Sequence, residues 1–191
     1  MRSLHVVASA ALLVATQLGA SALQQAPAGT YQERDFLSRS RRLTIEGRRA
    51  GEGYYSQDGK RMIFQSERDP ANPWYQIFTL DLTSGDVKRV SPGIGKTTCA
   101  FFRPGSDELL FSSTHLDPKS KQYQDEELAF RASGKQRRYS WDYDPEMDIF
   151  SMNEKTGAMK RLTTARGYDA ESAYSPDGQW IIFTSMRGAY N

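Results

Sequence analysis

The segment from residue 137 to residue 145 concentrates side chains that recognise other molecules. Its sequence is Arg-Arg-Tyr-Ser-Trp-Asp-Tyr-Asp-Pro, and Arg, Tyr and Trp are enriched at the energetic centres of protein interfaces. The alternative is a loop that folds back and covers an apolar edge of its own fold, with Trp141 and Tyr143 buried. We predict partner binding through these residues: Arg137, Arg138, Tyr139, Trp141 and Tyr143.

Four carboxylates alternate from within this segment to just beyond it, where they resemble a set of oxygen ligands for Ca²⁺. The spacing has neither the glycine turn nor the final bidentate Glu of a known calcium loop. Pairing of Asp142 with Arg137 or Arg138 explains the acidic residues more simply, so we expect no metal and no cofactor. The four residues are Asp142, Asp144, Glu146 and Asp148.

Candidate nucleophiles and bases are few. The chain has two histidines and one cysteine, and no Gly-x-Ser-x-Gly motif. We expect His115 to be an ordinary surface residue and Cys99 to be a buried structural thiol. The sequence therefore predicts no catalytic constellation within these 191 residues, which leaves open whether the protein is an enzyme.

Charge and cysteine content exclude several classes of protein. The net charge is +2, which gives no basic excess to neutralise the phosphates of a nucleic acid. One Cys excludes an internal disulfide framework, and one Cys with two His excludes a Cys/His zinc site.

Residues 1–22 have the layout of a secretory signal peptide. Arg2 precedes an apolar run from Val6 to Leu18, and Ala20-Ser21-Ala22 has the small-x-small pattern of a cleavage site. The run is shorter than the ~20 residues that span a bilayer, so we expect no membrane span after cleavage. The sequence predicts a periplasmic or secreted protein, with a lead-in at 23–41 before the first repeat.

A repeat organises the rest of the chain, 42–191. Thr44, Ser91 and Thr163 each precede an aromatic residue by 11 positions, and each aromatic precedes a Phe by nine. The aromatic residues are Tyr55, Phe102 and Tyr174, and the phenylalanines are Phe64, Phe111 and Phe183.

Each repeat predicts four short antiparallel strands. Ser-Pro-Asp-Gly and its variants suit hairpin turns, and the runs Met-Ile-Phe, Leu-Leu-Phe and Ile-Ile-Phe suit strands buried on both faces. Phe64 and Phe111 are 47 residues apart, near the length of a propeller blade. We therefore predict an all-β fold, a β-propeller of four-stranded antiparallel blades.

The strand count predicts an incomplete arc of about two and a half blades, with one further outer strand around residues 41–44. Because propellers close with 4–8 blades, we expect this chain to be the N-terminal portion of a longer protein. The second repeat contains an insertion at about 114–146, in which residues 119–131 predict a short helix that stops at Gly134.

The repeat resembles the WD40-like repeat of TolB-type β-propellers, most closely from Leu162 to Arg187. The resemblance rests on three elements: Leu-Thr, then Tyr-Ser-Pro-Asp-Gly-x-x-Ile-x-Phe-x-Ser, and Asp-Ile-Phe. The resemblance implies an exported propeller and, more remotely, a component of Tol-type biopolymer transport. Known TolB chains have an α/β domain before the propeller, whereas about 20 residues separate Ala22 from the first repeat here.

Two functions follow as expectations. The first is an exported binding module that recognises a protein, a peptide or a cell-envelope component. The second is an accessory propeller of an exported peptidase or hydrolase whose catalytic domain lies beyond residue 191, because such propellers resemble the gating domains of prolyl-oligopeptidase-type enzymes.

Overall fold

The computed structural model describes residues 32–190; the expected signal peptide at 1–22 and residues 23–31 of the lead-in lie outside them. The chain divides into two compact units, Met1–Arg42 and Leu43–Asn191. The described part of the first unit contains one exposed helical turn, α1 (Glu33–Phe36), where the Gln32 backbone N–H donates to Asp35 Oδ2 over 2.8 Å.

The described strands all lie in the second unit and form antiparallel sheets whose strand order follows the chain. Blade 1 consists of β1 (Arg49–Tyr55), β2 (Arg61–Glu67), β3 (Gln76–Asp81) and β4 (Val87–Arg89). Blade 2 consists of β5 (Thr97–Phe102), β6 (Glu108–Ser113), β7 (Asp148–Asn153) and β8 (Met159–Arg161). Half-blade 3 consists of β9 (Asp169–Tyr174) and β10 (Ile181–Ser185). These sheets confirm the predicted incomplete β-propeller.

The β1–β2 and β9–β10 turns are formed as their sequences predict. Asp58 Oδ1 accepts from Ser56 Oγ at 2.6 Å and from the Lys60 backbone N–H at 3.1 Å, and Asp177 makes the same two kinds of bond. In both carboxyls these hydrogen bonds lower the pKa. The middle turn differs, because its left-handed glycine, Gly105 (φ 66°), lies one position earlier.

Blades 1 and 2 share one apolar core. The rings of Phe111 and Phe150 stack at 6.1 Å between centroids, and Phe64 and Phe78 stack at 5.9 Å in a neighbouring cluster. The shared core consists of Ile63, Ile77, Val90, Ala100, Phe102, Leu109, Phe111, Phe150 and Met152. Because side chains from both blades fill it, each blade contributes to burying the other.

Two strand predictions are wrong in detail. Residues 41–44 contain no strand; with adjacent Arg41 and Arg42 beside one apolar side chain, the run has no apolar face to bury. The run Ile-Ile-Phe-Thr-Ser does form β10, but it is exposed rather than buried on both faces. In the described residues β10 pairs with β9 alone, so one of its edges has no strand beside it.

The insertion lies at one end of the blades. Because successive strands are antiparallel, every second connection falls at the same end, and this end holds the β2–β3, β4–β5, β6–β7 and β8–β9 connections. The predicted helix is confirmed as α2 (Ser120–Ala132), followed by Gly134 in the left-handed region (φ 68°) that stops a helix.

Helix α2 is fixed against blade 1 by polar bonds. The buried Gln124 accepts from the Gly95 backbone N–H at 3.3 Å and donates to the Ala71 carbonyl. At the other end of the helix, Arg131 donates to Glu67 Oε1 at 2.6 Å. An insertion of blade 2 therefore spans two connections of blade 1 and positions the segment that follows it.

Candidate binding site at the inner strands

The innermost strand of each blade contains the same backbone irregularity. The pairing of each inner strand (β1, β5 and β9) with the strand that follows it contains a shift of register. In each inner strand, the residue three positions before the aromatic of the repeat has a positive φ. These residues are Glu52 (φ 45°), Cys99 (φ 53°) and Glu171 (φ 57°). A left-handed residue other than glycine costs about 1–2 kcal/mol, and bulges of this kind re-aim side chains.

The re-aimed side chains share one cavity of about 240 Å³. It lies against the inner strands of all three sheets, and each repeat lines it with the third and the first residue before its aromatic, to which the third repeat adds the residue between them. The lining residues are Glu52, Tyr54, Cys99, Phe101, Glu171, Ser172 and Ala173.

Two carboxylates set the electrostatics of the cavity. Cys99 Sγ donates to Glu52 Oε2 at 3.2 Å, and the Tyr168 hydroxyl donates to Glu171 Oε1 at 3.3 Å. Burial, with the nearby carboxylates adding to it, raises the pKa of the Cys99 thiol to about 12 and raises the pKa of the Tyr168 hydroxyl. Both groups are therefore neutral donors at neutral pH, and the negative charge belongs to the two glutamates.

One polar group of the lining is left without a hydrogen bond. Ser172 is 4% exposed, and its Oγ has no partner among the described residues. The equivalent positions of the first two repeats are Gly53 and Ala100, so the hydroxyl is particular to the third. A buried hydroxyl without a partner costs about 1–3 kcal/mol, so Ser172 is an unsatisfied donor and acceptor in a residue that lines the cavity.

Two of the residues predicted to bind a partner lie against Tyr168, next to a glutamate of this cavity. The Trp141 indole acts on the Tyr168 hydroxyl, whose pKa it lowers against the larger effect of burial, and the Tyr143 ring meets the Tyr168 ring edge-on, with 5.4 Å between centroids and an 87° angle. Tyr168 in turn bonds Glu171. Trp141 and Tyr143 are 52% and 48% exposed, so each has one part packed on the fold and one part in solvent.

The other three predicted residues are placed differently. Arg137 turns back to α2, where it pairs with Glu127 and lies 4.2 Å from the centre of the Phe130 ring. Arg138 is exposed, and Tyr139 is 80% exposed. The structure thus brings Trp141 and Tyr143 together over Tyr168 and directs Arg137 away to the helix.

The four alternating carboxylates do not converge. Asp142 and Asp144 both pair with Lys96, the latter at 2.9 Å, whereas Glu146 pairs with Arg166 and Asp148 with Arg161. The expected pairing of Asp142 with Arg137 or Arg138 is therefore replaced by a bond to the β4–β5 connection. Lys96 Nζ also lies 5.2 Å from the centre of the Trp74 ring. Through Lys96, the segment 137–145 is therefore connected to blade 1.

The candidate nucleophile, Cys99, and the candidate base, His115, both occupy packed positions. Cys99 is buried, as expected, and a thiol with a pKa of about 12 is a poor nucleophile. His115 is half-buried rather than a surface residue: its ring lies 4.4 Å from the Phe150 ring and its Nδ1 is 3.0 Å from Ser113 Oγ. Burial first, and then Arg161, lowers the pKa of His115.

The sequence patterns described above do not predict this cavity, although the repeat contains a signal for it. Aligning the repeats on their aromatic residues places Glu52, Cys99 and Glu171 in one column and Tyr54 with Phe101 in another. Recurring acidic or polar residues next to an inner aromatic would have marked these columns. These side chains converge because of the bulges in the inner strands, and the residue types do not predict those bulges.

Comparison with known proteins supports the fold. No protein-family model matches the chain. A structure of TolB from Acinetobacter baumannii matches 69% of this chain and 25% of its own, at 24% identity and a TM-score of 0.46. A protein assigned as TolB from Agrobacterium tumefaciens matches 75% of this chain and 45% of its own, at 21% identity and a TM-score of 0.53. The described chain is an incomplete propeller of the TolB type.

A curated relative has a different name. The uncharacterized peptidase YuxL of Bacillus subtilis (strain 168) is 22% identical over 153 residues, which are 72% of this chain and 22% of YuxL. The chain thus spans about a fifth of the length of this relative. None of the helices in residues 32–190 combines the length and apolarity that a membrane crossing requires.

Proposed function

We propose that this chain is a binding module of an exported protein, periplasmic or secreted, that recognises a protein, a peptide or a cell-envelope component. One observation supports this proposal most directly: Trp141 and Tyr143 are half-exposed on a segment whose backbone is held in place. Rigid aromatic side chains give contact area at low entropic cost, because little freedom remains to be lost on binding.

The anchoring of this segment comes from both sides. Lys96 holds Asp142 and Asp144 beside the aromatic residues, and Tyr168 holds the packed sides of Trp141 and Tyr143. A loop that only covered its own blade would bury these rings more completely. The partner surface we propose is Tyr139, Trp141 and Tyr143, connected through Tyr168 to the inner-strand cavity.

Site-specific photocrosslinking in the cells that produce the full-length protein tests this proposal. A photoreactive phenylalanine in place of Tyr139 should crosslink a discrete partner, and the same group in place of Lys155, at the opposite end of blade 2, should not. Trp141→Ala should reduce the crosslink at least about tenfold, as expected for an interface anchor, and change the unfolding free energy by about 1 kcal/mol or less.

Equal crosslinking from both positions would contradict the proposed surface. A loss of about 3–5 kcal/mol in Trp141→Ala would show that the segment covers the blade, since buried aromatic-to-alanine changes cost that much. Cell fractionation with N-terminal sequencing checks the export: we expect cleavage after Ala22.

The similarity to YuxL favours one second candidate, the propeller domain of an exported peptidase or hydrolase. In that case the full-length protein should hydrolyse peptide substrates and react with an active-site-directed probe. The labelled residue should map beyond residue 191, because the sequence predicts no catalytic constellation before it. Binding of a partner without hydrolysis would favour the first candidate.

A further inference from the structure

The inner-strand cavity has a composition that selects for charge. Its lining contains two carboxylates, Glu52 and Glu171, and no basic side chain. Both glutamates are exposed, so solvent and solutes reach them. An anion would meet like charge here, whereas a cation would find two acceptors.

We propose that this cavity binds the positively charged side chain of an Arg or Lys residue in a peptide segment, with Glu52 and Glu171 as its acceptors. The inference rests on the proposed function as a partner-binding module and names the chemistry that one of its sites takes. The guanidinium or ammonium N–H groups donate to the two carboxylates, and such charge-assisted bonds are about twice as strong as neutral ones.

Two aromatic rings favour an organic cation over a metal ion. Tyr54 and Phe101 line the cavity with 5.1 Å between their centroids, at a tilt of 53°. Ring faces attract guanidinium and ammonium groups, and they offer no oxygen lone pairs of the kind that Ca²⁺ or Mg²⁺ requires. In the described residues no group of three or more acidic, His or Cys side chains is placed to hold a metal.

The unpartnered hydroxyl of Ser172 supplies an independent indication of a ligand. Ser172 lines the cavity, and its buried Oγ makes no hydrogen bond with the described residues, while a guanidinium has five N–H donors, more than two carboxylates use. The raised pKa of Cys99, to about 12, fits the same picture, because burial and nearby negative charge keep this thiol protonated and uncharged.

The size of the cavity favours a side chain over a whole small molecule. Its volume of about 240 Å³ lies below the ~300–1,000 Å³ of ligand pockets. The backbone of a bound peptide would then lie outside the cavity. Trp141 and Tyr143, which are connected to Glu171 through Tyr168, are exposed rings that such a backbone could contact.

The experiment titrates the full protein with a blocked peptide, acetyl-Ala-Ala-Arg-Ala-Ala-amide, up to about 10 mM, since a contact of this size binds in the millimolar range. The readout is the NMR shift of the backbone amides of Glu52, Cys99 and Ser172. We expect saturable shifts with the arginine peptide and at least about tenfold weaker binding of the citrulline peptide, which has the same shape without the charge.

Variants locate the contact. Glu52→Gln with Glu171→Gln should weaken binding at least about tenfold, whereas Glu126→Gln, an exposed carboxylate on α2, should leave it unchanged. Since the amide oxygen that Glu52→Gln introduces can still accept from Cys99 Sγ, the fold should be retained, and an unchanged amide spectrum elsewhere checks this.

Three results would overturn the inference: equal binding of the arginine and citrulline peptides, binding of free argininamide but not of the blocked peptide, or the same shifts produced by calcium chloride with loss of peptide binding. Crosslinking from position 139 distinguishes a failure of this cavity assignment from a failure of the proposed partner-binding function. A retained crosslink with no peptide binding removes only the cavity assignment, whereas peptide binding with no crosslink removes the partner surface.

Discussion

Strands β2, β6 and β10 have nearly the same sequence and very different surroundings. Ile63, Leu110 and Ile182 occupy one position of the repeat, yet the first two are 0% exposed and the third is 74% exposed. Strands β2 and β6 each have a paired strand on both sides, whereas β10 pairs with β9 alone among the described residues. Ile63 belongs to the core that blades 1 and 2 share, and β6, which carries Leu110, also contacts β9 of half-blade 3. The burial of a repeat residue is therefore decided by what packs against its strand, and not by the sequence of the strand itself.

The largest effect that tests this comparison comes from matched truncations. Ile63→Ala should lower the unfolding free energy by about 2–5 kcal/mol, because it leaves a cavity in the shared core. Ile182→Ala removes the same atoms from an exposed side chain and should cost about 0.5 kcal/mol or less. Urea unfolding of the full-length protein measures both.

If Ile182→Ala costs as much as Ile63→Ala, then a strand or a partner covers β10 in solution. Such a result would break the comparison, and the difference in burial between β10 and the other two strands would not hold for the protein in solution.

A smaller effect is expected from two glycines that lie at opposite ends of blade 2. Gly95 and Gly105 both have a positive φ, 69° and 66°. A Cβ on Gly95 would lie 2.6 Å from Thr114 Oγ1 beneath the insertion, whereas a Cβ on Gly105 would meet no atom within 4 Å. Both substitutions to Ala cost the left-handed penalty of about 1–2 kcal/mol, and Gly95→Ala should cost about 1–3 kcal/mol more through overpacking.

Thermal unfolding of the two variants side by side measures that difference. Equal destabilisation would mean that the end holding the insertion is as loosely packed as the end holding the hairpin turn.

The smallest effect concerns the side chain four positions after each repeat Phe. Arg68 lies 5.3 Å from the Phe64 ring in blade 1, Arg187 lies 5.4 Å from the Phe183 ring, and His115 packs on Phe150 in blade 2. Only the histidine changes charge near neutral pH. Because burial lowers its pKa in the folded state, the stability it contributes is present above the unfolded value of about 6.5 and is lost as the pH falls from there through its folded pKa.

We therefore expect the unfolding free energy to fall by a few tenths of a kcal/mol below pH ~6.5, after allowance for solvent screening. His115→Gln should flatten this dependence, and Arg68→Gln should leave it in place. Urea titrations at a series of pH values check the sign; a stability that rises on acidification in the same range would contradict it.

The repeat made the blades predictable because turn residues and apolar runs act locally. The Ser-x-Asp-Gly turns and the strand around Ile63 form as their sequences indicate. The exposure of Ile182 was not predictable, since it depends on a neighbour. The conformation of Glu52 and Cys99 was not predictable either, because residues other than glycine rarely adopt a positive φ.

The candidate site was predictable only in part. Arginine and aromatic density marked Trp141 and Tyr143, which do lie together. It also marked Arg137, whose partner Glu127 lies ten residues away on α2. The pattern of residue types identifies the segment 137–145, whereas the contacts of each side chain depend on how α2 packs.

The anchoring of α2 on blade 1 has a consequence for how the chain assembles as it is made. The bond between Gln124 and Ala71 joins residues 53 positions apart, and that between Arg131 and Glu67 joins residues 64 positions apart. Blade 1 can therefore pair its own strands early, but it gains these bonds only after the insertion has emerged. Because non-local bonds form late and couple the two blades, we expect hydrogen exchange to protect them as one cooperative unit rather than two.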